Sequence, residues 1–384
     1  MIRKSWKIWL EHHLANPSYG GWVLIGIGFC FFGAATNTMA GWLYVLSGIM
    51  FALVLISGIM ARRSLKFLTL KRAAIAPVIA GNYIALEVEL LNLSKVPQTL
   101  LKITDQLPLT LSKPRSKAIE QINSQQLEPW EEYIPTRRRG IYQWHGLQLS
   151  TASPWGLMWA TRTFKLPAKA IVYPQDLKLA YCPLIDTIGR EDSLKLTSDR
   201  RYQTSNEGLT KALRPYRYGD STRLIHWRSS AKLGELQVRE LETMTGGQDI
   251  VICLDSAQTW PAETFEQAVI AATSLYFYAS KAQLKVRLWT AATDLIHGNY
   301  VVLETLAGVT MEEMPVHPDL PNLPLVWLTS NPAAIGSLPM GSRWLWFTPQ
   351  DQGYQNNPLA PQYPGIIIND RDDLTQQLQQ RPTF

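Results

Sequence analysis

From His12 to Ala61 the chain carries no Asp, Glu, Lys or Arg. A stretch that long cannot be a solvated surface, and it restricts the fold more than any other feature. It divides into two apolar runs, "GWVLIGIGFCFFGAAT" and "GWLYVLSGIMFALVLISGIM", joined at the polar turn Thr36-Asn37-Thr38. About 20 helical residues cross the roughly 30 Å hydrocarbon layer of a bilayer. Two helices, at about 20–37 and 41–60, are therefore predicted as a transmembrane hairpin occupying 1–70. Trp22 and Trp42 fall where amphipathic rings favour the interface. A cleaved signal peptide ending at "TMA" is the alternative, opposed by the late start of the first run and by the second run after it.

Charge sets the expected orientation. Arg3, Lys4 and Lys7 precede the pair, Arg62, Arg63, Lys66, Lys71 and Arg72 follow it, and the turn between has none. The positive-inside rule then puts both ends in the cytoplasm, as a multi-pass protein of the inner (plasma) membrane. Overall composition agrees: 46% of residues are hydrophobic and only 18% charged, against about 25% charged in ordinary soluble domains. The net charge of +6 is what membrane-flanking Lys and Arg produce, so it is no argument for nucleic acid. Cys30, Cys182 and Cys253 are widely separated, which fits neither a zinc site nor a disulfide framework.

Past the hairpin, "NYIALEVELLNLS" alternates Ile84, Leu86, Val88 and Leu90 with Glu87 and Glu89, the pattern of a half-buried strand. Further short alternating runs broken by Pro and Gly predict a small all-β, sandwich-like domain over 71–175. Residues 176–210 are polar and irregular and are expected to be an exposed linker. After Gly247 short apolar strands such as "DIVICLD" and "PLVWLTSN" alternate with helical segments such as "AETFEQAVIAATSLYFYASKAQ". That alternation predicts a doubly wound α/β module over 211–384, with ligand sites at the carboxyl ends of its strands.

Between these domains lies "YRYGDSTRLIHWRSSAKLGELQVRE", residues 216–240, rich in Arg around His226 and Trp227. "TRLIHWRSSAKLG" is expected to form about three helical turns capped by Asp220 or Ser221 and stopped at Gly234, with "ELQVREL" as the next strand. Three uses compete. Arg side chains would brace loop, helix and strand; Arg and Trp would anchor a protein partner; or His226 would serve as a general base, although no nucleophile–base–orienter set follows from spacing. The carboxylates of Asp220, Glu235, Glu240 and Glu242 oppose a phosphate-binding field, and no nucleic-acid partner is expected. Neither a Walker A loop, nor GxSxG, nor HExxH is present.

This stretch also resembles a family signature. Tyr216, Gly219-Asp220, Arg223, Ile225, Trp227, Ser230-Ala231, Gly234, Leu236, Val238 and Arg239-Glu240 match in order and spacing the motif of the bacterial domain-of-unknown-function-58 family. "RRRGIY" at 137–142 and "SPWGL" at 153–157 are similar to that family's upstream segments. Pro215 departs from the pattern, where an acidic residue is common. The resemblance implies a membrane anchor, a β domain and a C-terminal domain similar to von Willebrand factor A domains, with a MoxR-type AAA+ ATPase as partner. Arg214, Tyr216, Gly219, Asp220, Arg223, His226, Trp227, Arg228, Arg239 and Glu240 are the candidate partner-binding residues. A-type domains hold a divalent cation through Asp-x-Ser-x-Ser, so the resemblance implies magnesium on Asp255 and Thr259, with Ala257 in place of one hydroxyl ligand. Thr293, Asp294 or Ser330 would complete such a set; the alternative is that Asp255 is an ordinary strand-end turn residue. The expected function is a membrane-anchored, non-enzymatic scaffold or adaptor, and the rival is a metal-dependent hydrolase at the membrane surface.

Overall fold

The computed structural model describes residues 15–188, 210–216, 225–241, 249–316, 323–339, 341–348 and 363–383. The chain forms two compact units, Met1–Pro174 and Gln175–Phe384.

In the first unit a short strand β1 (Asn16–Pro17) leads into helix α1 (Tyr19–Thr38), which is followed by helix α2 (Gly41–Lys66). Ser18 caps α1 by accepting the Gly21 N–H at 3.1 Å. The two helices are long and apolar enough to cross a membrane. They pack edge to face through Phe29–Phe51 and Phe32–Tyr44, with ring centroids 5.0 and 5.7 Å apart. Their remaining surface is apolar and exposed, including Trp22, Val45, Leu55 and Ile59.

The second helix does not stop near residue 60 as its apolar run predicts; it continues to Lys66. The reason is packing, because Ala61 and Leu65 are buried in the core of the β domain that follows. Arg162 also donates to the Leu65 carbonyl at 3.0 Å. The boundary at residue 70 shifts accordingly, since the next strand begins at Leu68 and β1 joins the β domain.

The β domain comprises β2 (Leu68–Arg72), β3 (Val78–Ile79), β4 (Tyr83–Asn92), β5 (Gln98–Asp105), β6 (Arg115–Ile122), β7 (Leu127–Pro135), β8 (Gly140–Thr151) and β9 (Met158–Tyr173). One sheet has the order β2-β4-β7 and the other β1-β9-β8-β5-β6, with β3 beside β9. Val88, Leu90 and Trp130 of the first sheet share a core with Leu101, Ile103, Leu147 and Leu149 of the second, so the domain is a two-sheet sandwich. Strand β4 keeps the alternation read from its sequence: Ile84, Leu86, Val88 and Leu90 are buried, and Glu87 and Glu89 are exposed.

Register places Arg137-Arg138-Arg139 away from the helices. Asn92 of β4 pairs with Leu68 beside the end of α2, whereas Tyr83 pairs with Pro135 just before the arginines. Nine strand residues at about 3.3 Å each put the arginines roughly 30 Å from that end. That distance agrees with reading the basic run as a solvated or locally paired face and opposes its use as a contact with anionic lipid.

The second unit contains β10 (Thr210–Pro215), α3 (Trp227–Leu233), β11 (Gln237–Leu241), β12 (Asp249–Leu254), α4 (Ala262–Lys281), β13 (Lys285–Thr290), β14 (Thr293–Ile296), α5 (Asn299–Gly308), β15 (Leu325–Thr329), β16 (Arg343–Thr348), β17 (Gly365–Asn369) and α6 (Leu374–Leu378). Its main sheet runs β14-β13-β12-β15-β16-β17, parallel throughout except for the β13–β14 pair. Alternate residues of β12 feed different cores. Ile250, Ile252 and Leu254 pack with α4 and its neighbours, and Val251 and Cys253 pack with Trp289, Trp327, Trp344 and Trp346 on the opposite face.

The predicted linker at 176–210 requires correction over its first third. Cys182, Leu184, Ile185 and Ile188 are fully or almost fully buried in the α/β core, and residues 183–188 are helical. Leu177 donates its N–H to Ser274 Oγ at 2.9 Å, and Tyr278 donates to Asp186 at 3.0 Å. Four apolar side chains at helical spacing outweigh the polar average of the segment. Residues 189–209 lie outside the described residues.

Candidate functional site

The Arg-rich motif forms a compact β–α–β element. Strands β10 and β11 are antiparallel, pairing Arg214 with Val238, Leu213 with Arg239 and Ala212 with Glu240. Ile225 bridges to Val238, and both side chains are buried. The motif helix is shorter than predicted, seven residues from Trp227. It starts late because Ile225 is held at the strand and His226 takes the capping position. Gly234 ends it in the left-handed conformation at φ 74°, as the sequence suggests.

Its polar side chains satisfy one another. His226 Nδ1 accepts the Ser229 N–H at 3.2 Å and lies 2.8 Å from Ser229 Oγ. Ser230 Oγ donates to the His226 carbonyl at 3.0 Å and accepts the Gln237 N–H at 2.8 Å, tying helix to strand. Backbone bonds from Tyr216 to Leu236 and from His226 to Gln237, both 2.8 Å, close the element. This use of Nδ1 gives His226 a structural task at the cap.

The outer surface is different. Trp227 is 66% exposed, Leu233 63% and Leu236 44%, and Arg228 and Lys232 are exposed beside them. His226 thus turns inward while Trp227 and Arg228 turn outward. Gly219, Asp220 and Arg223 lie outside the described residues, as does the expected cap Ser221. Arg214, Arg239 and Glu240 are placed by their backbone pairing. Ser230 is the residue whose bracing role spacing did not reveal, because its second partner, Gln237, is seven positions on.

The strand-end candidates sit where the sheet order reverses, between β12 and β15, the usual position for a ligand in a doubly wound sheet. Asp255 is 5% exposed and its Oδ2 accepts the Thr329 hydroxyl at 2.8 Å. Burial pushes the acidity of Asp255 toward a higher pKa than usual, partly offset by the Thr329 bond. Thr259 donates instead to Glu312 at 2.9 Å. Ser256 Oγ accepts the Ala291 N–H at 2.9 Å, and Thr290 and Thr293 hydroxyls meet at 2.8 Å. Asp294 accepts its neighbour Leu295 N–H at 2.8 Å, and Ser330 Oγ donates to the Thr259 carbonyl at 3.4 Å.

These donors do not fit a magnesium cage. Magnesium takes octahedral oxygen ligands, commonly one or two carboxylates with waters. Here Asp255 accepts from Thr329, Thr259 is turned to Glu312 instead of toward Asp255, and Ala257 offers no hydroxyl. What the geometry supports for Asp255 is a buried strand-end carboxylate joining β12 to β15. The missed partner, Thr329, is 74 residues away in sequence, so no local pattern could have named it.

No family model and no curated protein matches the chain. Among solved structures, similarity extends to a CARDB domain from Pyrococcus furiosus in complex with di-metal ions. That match has TM-score 0.19 and 11% identity, covering 27% of this chain and 93% of that one. A protein of unknown function from Porphyromonas gingivalis has TM-score 0.21 and 13% identity over 30% of this chain and 52% of its own. An alkylpurine DNA glycosylase from Pseudomonas fluorescens bound to DNA has TM-score 0.21 and 12% identity over 40% and 44%. Likeness at this level carries no argument about fold or function.

Proposed function

We propose that the chain is a membrane-anchored adaptor whose Arg-rich motif docks a protein partner. The observation that carries this reading is the division within the motif. His226, Ser229 and Ser230 spend their polar groups inside the element, yet Trp227, Leu233, Leu236 and Arg228 stay exposed. Trp and Arg are the residue types that dominate binding hot spots. The resemblance to the domain-of-unknown-function-58 signature makes a MoxR-type AAA+ ATPase the partner to test first. It also suggests that the second unit is A-domain-like, a reading supported by its doubly wound strand order. The two apolar helices and their flanking charges favour a hairpin in the plasma membrane with both ends cytoplasmic.

The test is capture from solubilised membranes with the full chain as bait, followed by mass spectrometry. Trp227→Ala should lower ATPase recovery roughly thirtyfold, the equivalent of a 2 kcal/mol hot spot, with the melting temperature unchanged. Recovery of no ATPase by the wild type, or equal recovery by the variant, would sink this reading. The hydrolase alternative requires a divalent cation, so calorimetric binding of magnesium or manganese that depends on Asp255 would revive it.

A further inference from the structure

We propose that the groove between the two apolar helices holds an acyl chain of one anionic phospholipid, with the lipid phosphate on Arg62. The proposal rests on reading α1 and α2 as membrane-spanning. A cavity of about 480 Å³ lies between them, with Phe29 and Phe51 at one end and Gly58, Met158 and Arg62 at the other. Eleven helical residues separate Phe51 from Arg62, about 16 Å along the axis. That is close to half of a roughly 30 Å hydrocarbon layer, so the groove matches the depth of one leaflet.

Its chemistry changes along that length. The body is aromatic and aliphatic, and among the described residues the only charge on its lining is Arg62. Arg62 is exposed and has no hydrogen-bond or ion-pair partner among the described residues. Arg63 and Lys66 follow it on the same helix, and the nearest preceding acidic residue in sequence is Glu11. An apolar slot ending in a guanidinium that is unpaired among the described residues complements a molecule with an apolar tail and an anionic head. The exposed Trp22 and Trp159 occupy the same end of the hairpin, since Asn16 pairs with Trp159 just before α1 begins. Tryptophan at that level favours the headgroup region. A second copy of the chain fits less well, because it would bring another cationic helix end to Arg62.

The experiment is native mass spectrometry of the full chain with equimolar phosphatidylglycerol and phosphatidylethanolamine of matched acyl chains. Wild type should retain one phosphatidylglycerol in preference to phosphatidylethanolamine. Arg62→Gln should reduce that preference roughly fivefold, while Arg63→Gln, which does not line the groove, preserves it. Leu55→Trp, filling the groove, should lower retention of both lipids. Equal retention of the two lipids, an unchanged Arg62→Gln variant, or a dimer in place of bound lipid would overturn the proposal. Alkaline carbonate washing of membranes tests the underlying reading separately: release of the wild-type chain would refute the membrane hairpin itself, whereas retention with no lipid preference would refute only the lipid site.

Discussion

Removing Asp105 should destabilise the β domain far more than removing the whole ion pair that contains it. Asp105 and Arg72 are almost completely buried, their side chains 1% and 4% exposed, and they meet in a two-pronged bond of 2.7 and 3.0 Å. Trp144 Nε1 donates to the same carboxylate at 2.9 Å, and the Arg72 guanidinium lies 5.3 Å from the Trp144 ring. Arg72 sits on β2 of one sheet; Asp105 and Trp144 sit on β5 and β8 of the other. The cluster therefore ties the two sheets together next to the strand that leaves α2. Asp105→Ala would strand a guanidinium in the core, where Arg72 Nε already lacks a partner. An uncompensated buried charge costs about 3–5 kcal/mol. At roughly 2–4 °C per kcal/mol for a domain of this size, the melting temperature should fall by about 6–20 °C. The double variant Arg72→Met with Asp105→Leu removes both charges and loses mainly the Trp144 bond, costing about 1–3 kcal/mol. The assay is thermal unfolding of the full chain in detergent, followed by proteolytic release of peptides from β4 and β5. A single variant melting within 2 °C of wild type, or a double variant as unstable as the single, would refute the reasoning.

Three further outcomes follow from the second unit. Asp255→Asn should raise its melting temperature at neutral pH, because burial disfavours the ionised carboxyl while Asn can still accept from Thr329. With the folded pKa above 3.8, the difference should shrink as pH falls through that folded value and the wild-type carboxyl protonates; a constant difference would contradict the assignment. Burial raises the Cys182 thiol to about 11 and Cys253 well above its ordinary 9.0. Both should resist iodoacetamide at pH 8 until the chain is unfolded, and stability should decline as pH rises from 9.0 toward the folded values, since the unfolded thiols ionise first. Ser230→Ala removes the bond that joins the motif helix to β11 and a second one back to the His226 carbonyl at the helix cap, and leaves the Gln237 N–H unpaired. It should cost about 1–3 kcal/mol and speed hydrogen exchange at Gln237, which Trp227→Ala should leave unchanged.

Legibility in the sequence followed the range of the interactions. The helix pair is visible because a bilayer-scale apolar run needs no knowledge of its neighbours, and β4 because alternation reports its two faces directly. The end of α2 was not visible, since what prolongs it is burial of Ala61 and Leu65 against strands far along the chain. The motif helix was overextended for a similar reason. Leu224 and Ile225 continue a helical apolar pattern, but Ile225 is captured by Val238 thirteen residues later. At the strand ends the sequence supplied Asp255 and Thr259 as neighbours on one loop, whereas side-chain bonding sends them to Thr329 and Glu312.

That contrast also separates the two candidate sites physically. At the β12–β15 crevice Asp255 already accepts from Thr329 and Thr259 already donates to Glu312, so these side chains are bonded to one another across the loops. The motif differs in what it leaves outside its bonds. Its described side-chain bonds lie among His226, Ser229, Ser230 and Gln237, while Trp227 already stands in solvent. A partner that covers Trp227 gains apolar burial without breaking any of these bonds, and the His226 cap already satisfies a backbone N–H at the start of the helix. The residues that brace the motif are thus what make its exposed face a prepared surface.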